Sequence, residues 1–147
     1  MSNLAGGIDA NSSSNNLIAK ELLKSTEFIN KFVLENNLIV PIMAARGWNS
    51  ESDELLIDPN IYSQGSWVRD PVGLYTKEPT AEEVFIALSS RLSFSQERDG
   101  VITISFTFFS PHLAKDYLQK LIAYVNLEVR NRDVKEASLK KQHLVKQ

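Results

Sequence analysis

The sequence predicts an α+β fold, a small antiparallel sheet packed on helices with a long C-terminal helix projecting from the base. Three observations carry that expectation. Residues 101–109 alternate: Ile102, Ile104, Phe106 and Phe108 fall on one side, and Thr103, Ser105 and Thr107 on the other. That period of two marks a strand with one buried face and one wet or lightly covered face, as in an antiparallel layer. Ser110-Pro111 follows at once, a strong helix start with Ser as cap and Pro at the first helical position, and no Gly or Pro interrupts the chain from His112 to the end. Thr80-Ala81-Glu82-Glu83 has the Thr-x-x-Glu spacing of a capping box, in which the Thr oxygen takes the third helical N–H and the Glu returns to the Thr backbone.

In chain order, residues 1–16 contain Gly6-Gly7 and the run Asn11-Ser12-Ser13-Ser14-Asn15-Asn16. They offer little to bury and are expected to be a flexible, solvated lead-in. From Leu17, the residues Ile18, Leu22, Ile29 and Val33 are spaced four, seven and four, which puts them on one stripe of a first helix. Asn36-Asn37, tolerant of the left-handed conformation, marks its end. Residues 38–80 hold Pro41, Gly47, Pro59, Gly65, Pro71, Gly73 and Pro79 at short intervals, and read as a meandering connection with short helical turns or a mobile part. Trp48, Tyr62, Trp67 and Tyr75 lie within it. The second helix carries Val84, Phe85, Leu88 and Leu92 on its apolar face. A short run, Leu92 to Ser95, then leads through Asp99-Gly100, a pair suited to a tight reversal at positive φ, into the main strand.

The last helix repeats Leu113, Ala114, Tyr117, Leu118, Leu121, Ile122 and Val125 at spacings of three and four. Leu118, Ile122 and Val125 are expected to face the sheet. If helical to its end, it runs about 55 Å, longer than so small a domain can cover. Its apolar residues thin after Val129, so residues 130–147 are expected to project as an arm from a base domain spanning 17–129.

The 147 residues suit one domain with an ordinary core, burying ~68–70% of the unfolded surface. The absence of Cys removes disulfides, thiolate metal sites and cysteine nucleophiles, and leaves the redox compartment open. A formal charge of −2 argues against a nucleic-acid partner. That charge is unevenly placed. Residues 130–147 hold six basic and two acidic side chains, a net of +4 that leaves −6 for the first 129 residues. The apolar runs Leu38 to Ala45 and Val101 to Phe109 fall well short of the ~20 residues of a transmembrane helix, and no signal peptide opens the chain.

No constellation of residues points to catalysis, to a cofactor or to a metal. His112, at a helix start where the dipole disfavours its charged form, and His143, in the basic tail, read as solvent-exposed. No His-Glu-x-x-His spacing, Gly-x-Ser-x-Gly elbow or phosphate-binding Gly pattern occurs. The acidic residues Glu51, Asp53, Glu54 and Asp58 near Trp48 and Trp67 have the residue types of a glycoside hydrolase, two carboxylates and aromatic platforms. The stronger reading of the same residues is an exposed acidic loop pinned to the core by Trp.

Several stretches together resemble the Wzz-type chain-length determinant family of polysaccharide co-polymerases. They are Leu4-Ala5-Gly6-Gly7-Ile8, Ala19-Lys20-Glu21-Leu22-Leu23-Lys24-Ser25, Phe28-Ile29, Phe32-Val33 and Asn36-Asn37-Leu38, then Pro79-Thr80, Leu92-Ser93-Phe94-Ser95 and Gly100-Val101-Ile102-Thr103-Ile104-Ser105, then Ser110-Pro111-His112-Leu113-Ala114, Tyr124-Val125-Asn126 and Arg130, Arg132, Glu136 and Ala137. They cover nearly the whole chain in order.

The resemblance implies a periplasmic α+β base bracketed by two membrane spans of a parent protein in the bacterial inner membrane. It also implies a homo-oligomer without catalytic residues that sets the length of O-antigen, capsule or exopolysaccharide chains, with the polysaccharide polymerase or growing glycan as partner. The helix from Pro111 would be the ascending arm of a hairpin. Arg130, Arg132, Lys135 and Lys140 become candidates for intersubunit or glycan contact. Departures are the lack of spans at both ends, of the descending arm and its Pro/Gly-rich approach, and of the strand expected just after the first span, which together suggest an excised periplasmic fragment. Ser110 stands where many relatives carry an acidic residue, and the segment from Trp48 to Pro79 matches weakly. The alternatives are a soluble coiled-coil adaptor that uses the C-terminal helix, and a carbohydrate-active enzyme.

Overall fold

The computed structural model describes residues 2–8, 13–69 and 78–145, with side chains over 15–69 and 78–142. The fold is α+β, as the alternation and the helix signals predict. Its elements are β1 (Ser2–Ile8), α1 (Ser13–Leu23), α2 (Thr26–Glu35), α3 (Ile39–Ala44), β2 (Ala45–Asn49), β3 (Glu54–Ile57), β4 (Tyr62–Ser63), β5 (Ser66–Trp67), α4 (Ala81–Ser89), β6 (Leu92–Gln96), β7 (Ile102–Phe108) and α5 (Pro111–Val145).

The main sheet has the order β1-β7-β6, antiparallel throughout. β7 sits in the middle and alternates as its sequence predicts: Ile102, Ile104, Phe106 and Phe108 are buried, and the intervening residues are half-buried. Its buried side packs on α5, with the Tyr117 ring 6.3 Å from Phe106 and 5.3 Å from Phe108. Ala19, Leu22, Leu23, Phe28, Ile29, Phe32 and Val33 from α1 and α2 complete the same core. Each fully buried Phe or Ile there contributes about 1.5–3 kcal/mol relative to exposure.

Residues 2–8 correct the expectation of a flexible lead-in. They form β1, in register from Ser2 opposite Phe108 to Ile8 opposite Ile102. A central strand buried on one face must satisfy N–H and C=O groups along both edges, and β6 covers only one. Gly6 and Gly7, opposite Ile104 and Thr103, supply backbone to the ladder at no steric cost. Asn16 is also buried rather than solvated, and its Nδ2 donates to the Gly100 carbonyl at 2.5 Å, fastening α1 to the β6–β7 turn. A strand therefore opens the chain, which corrects the expectation that this part lacks one.

The single first helix is a second correction. The chain breaks at Lys24-Ser25, and Ser25 caps α2 by accepting the Phe28 N–H at 3.2 Å. Breaking there lets both halves bury their own stripe, while Leu17 is left exposed. The end of α2 behaves as predicted, with Asn37 left-handed at φ 55°.

Residues 38–69 are more ordered than a meander. In α3, Pro41 occupies the first turn, where its missing N–H costs no helical bond. β2 and β3 form a hairpin with a register shift between Ala45 and Gly47. β4 and β5 close over Gln64 and Gly65, both at positive φ, as a two-residue hairpin of matching twist requires. Tyr75, Pro71 and Gly73 lie outside the described residues.

The capping box at α4 is complete: Thr80 Oγ1 accepts the Glu83 N–H at 3.2 Å, and Glu83 returns to the Thr80 N–H at 3.4 Å. Glu83 also holds Arg69 in a two-pronged ion pair, one arm at 3.0 Å, which ties the chain after β5 to the start of α4. The β6–β7 reversal places Gly100 at φ 87°, as Asp99-Gly100 predicts, with Asp99 Oδ1 accepting the Val101 N–H at 3.1 Å.

Phe106→Ala should destabilise the fold by about 3–5 kcal/mol, and Ser25→Ala by about 1 kcal/mol, in urea unfolding followed by circular dichroism. Equal costs would deny the sheet its place at the centre of the core. A second expectation concerns acid. The bond from Arg69, and less so the Thr80 contacts, hold the Glu83 carboxyl below its ordinary 4.5, against a smaller opposing effect of burial. Its contribution is full above 4.5 and is lost as pH falls through the lower folded-state value. Stability of Glu83→Gln should therefore fall less steeply with acid below 4.5 than that of the unaltered chain, and parallel curves would refute this.

Candidate functional site

The long helix is anchored at its start. Ser110 is buried, and its Oγ accepts the Leu113 N–H at 3.2 Å, the cap that the Ser-Pro pair predicts. Ala114, Tyr117, Leu118, Leu121, Val125 and Val129 then form one buried seam at spacings of three and four, and burial raises the Tyr117 hydroxyl to about 12. Leu118 and Val125 face inward as expected, and Ile122 is half-buried at the seam's edge.

The seam ends by a change of residue type. Continued by three, four, seven and eleven beyond Val129, it reaches Arg132, Asp133, Glu136 and Lys140, none of which can be buried unpaired. Every described side chain from Arg130 to Gln142 is exposed. This is the arm that the thinning of apolar residues predicts, and residues 143–147 have no described side chains, His143 and Lys146 among them.

The four candidate cations do not converge on one face. At about 100° per residue, Arg132, Lys135 and Lys140 stand about 200°, 140° and 280° around the axis from Arg130. Two are engaged within the helix. Arg132 pairs with Glu128 at 3.3 Å and Lys140 with Glu136 at 3.4 Å, both four residues apart and both worth only tenths of a kcal/mol. Arg130 Nε donates to the Asn126 carbonyl at 3.5 Å. No ion pair is recorded for Arg130 or Lys135 among the described residues.

A groove of about 560 Å³ opens where the arm leaves the base, between the α1–α2 corner and α5. Leu22, Phe28, Tyr124 and Leu127 line its apolar part, and Glu21, Glu27, Glu35 and Glu128 outnumber Lys31 and Arg132 among its charges. Tyr124 ties its two walls: the ring lies 5.1 Å from Phe28 and 5.5 Å from Phe32, and its hydroxyl donates to Glu35 Oε2 at 2.8 Å. Loss of solvent, then the Glu35 carboxylate, push that hydroxyl up to about 12. Sequence reasoning missed this groove because its residues come from helices 89 positions apart. Leu127, off the buried seam yet apolar, and exposed at 52%, was the signal available.

The carboxylates near Trp48 hold turns. Asp53 Oδ1 accepts the Trp48 indole N–H at 2.9 Å, and Asp58 Oδ1 accepts the Asn60 N–H at 2.9 Å. Glu51 and Glu54 are exposed on the β2–β3 hairpin. The Trp48 ring meets His112 edge-on at 6.3 Å, joining that hairpin to the start of α5, and His112 is exposed as expected. The Tyr62 and Trp67 rings pack edge-on at 4.9 Å across β4–β5. No cluster of three or more metal-ligating side chains occurs among the described residues.

Tyr124→Phe should cost about 0.5–1.5 kcal/mol at neutral pH, the net worth of one hydrogen bond. Because the folded-state value lies above the ordinary 10, the contribution of this hydroxyl is full below 10 and is lost as pH rises towards about 12. The variant should therefore lose less stability in that range, and unfolding curves that stay parallel from neutral to alkaline pH would refute the Tyr124–Glu35 bond as a tie between the groove walls. Comparison of the chain with protein-family models, with curated proteins and with solved structures found no match.

Proposed function

We propose that this chain is the periplasmic base of a polysaccharide chain-length regulator, acting without catalysis as an oligomeric scaffold at the bacterial inner membrane. The observation that carries the reading is α5: 35 residues without a break, which builds the core as far as Val129 and then leaves it, with every side chain from Arg130 to Gln142 in solvent. An arm rising from an α+β base is what the ordered resemblance implies for the segment from Pro111. β1 supports the reading further, since it supplies the strand that the resemblance requires at the start of the domain.

In this mechanism neighbouring protomers pack through base and arm, and the assembly presents one surface to the polymerase or the growing glycan. Chain length is then set by geometry and residence time rather than by a bond-making step. No helix among the described residues is long and apolar enough to cross a membrane. Attachment to the bilayer would belong to flanking segments of the parent protein.

A coiled-coil adaptor is the second reading, favoured by one observation: Leu127 and Val134, seven residues apart, are both exposed on α5. The gene sequence on either side of this segment separates the two, because an apolar span on each side supports the regulator and soluble flanks support the adaptor. Deletion of the parent gene should shift the modal length of a surface polysaccharide without abolishing its synthesis, as read on a gel of the extracted glycan. An unchanged length distribution would overturn the regulator reading.

A further inference from the structure

We draw no further inference here: the strongest candidate, the groove between the α1–α2 corner and α5 where Glu21 and Glu27 stand beside apolar Leu22, Phe28 and Leu127, is an acidic and partly apolar face, and nothing in the structure shows what covers it.

Discussion

The structure depends on the burial of β7. A strand with Ile102, Ile104, Phe106 and Phe108 packed on one side has to bond along both of its edges and bury one face, and each demand recruits a different part of the chain. One edge takes β6 through the Asp99-Gly100 reversal, and the other takes β1 from the far end of the sequence. The face takes α5, which follows immediately, and then α1 and α2. Even Arg91 is set by this strand: its guanidinium lies 5.0 Å from the rings of both Phe108 and Phe109, and the loss of solvent there lowers its pKa from the ordinary arginine value.

The second constraint lies in α5, which serves as core element and arm without changing conformation. Up to Val129 its helicity is underwritten by burial of the seam. Beyond Val129 it is sustained by extension from an existing nucleus, since adding a residue to a formed helix is far easier than starting one. The sequence of the arm suits that role. It has no Gly or Pro, and its charges sit four apart in the favourable order, Glu128 before Arg132 and Glu136 before Lys140. A seam of charges in place of apolar residues keeps the arm from collapsing on its own base.

What was legible in the sequence was whatever short-range chemistry dictates. The alternation of 102–108, the Ser110 and Thr80 caps, the left-handed Asn37 and the glycine of the β6–β7 turn all follow from a few neighbouring residues. The exit of the arm after Val129 follows from the residue types along one helix. The rest depends on partners distant in sequence. β1 looks like a solvated segment because Gly6 and Gly7 have no side chains to signal burial, and only the vacant edge of β7 makes them a strand. The break at Ser25 hides inside a continuous apolar stripe, although Ser25 with Phe28 three residues on carried the mark of a cap. The groove could not be read at all, because Glu35 and Tyr124 meet only after α2 has packed on α5.

The net charge of −2 conceals a chain with two electrical ends, and distance decides what that separation can do. Arg130 to Gln142 extends about 20 Å beyond the core at ~1.5 Å per residue. In ~0.15 M salt the screening length is about 8 Å, so Lys140 and Lys141 scarcely feel the carboxylates of their own base. Their charge is available to whatever approaches from the side, while Glu21 and Glu27, at the foot of the arm, lie well over a screening length below them. The stiffness of the helix holds that separation: Arg132, on the first turn of the arm, lines the groove among the carboxylates, and the cations further out stay clear of it.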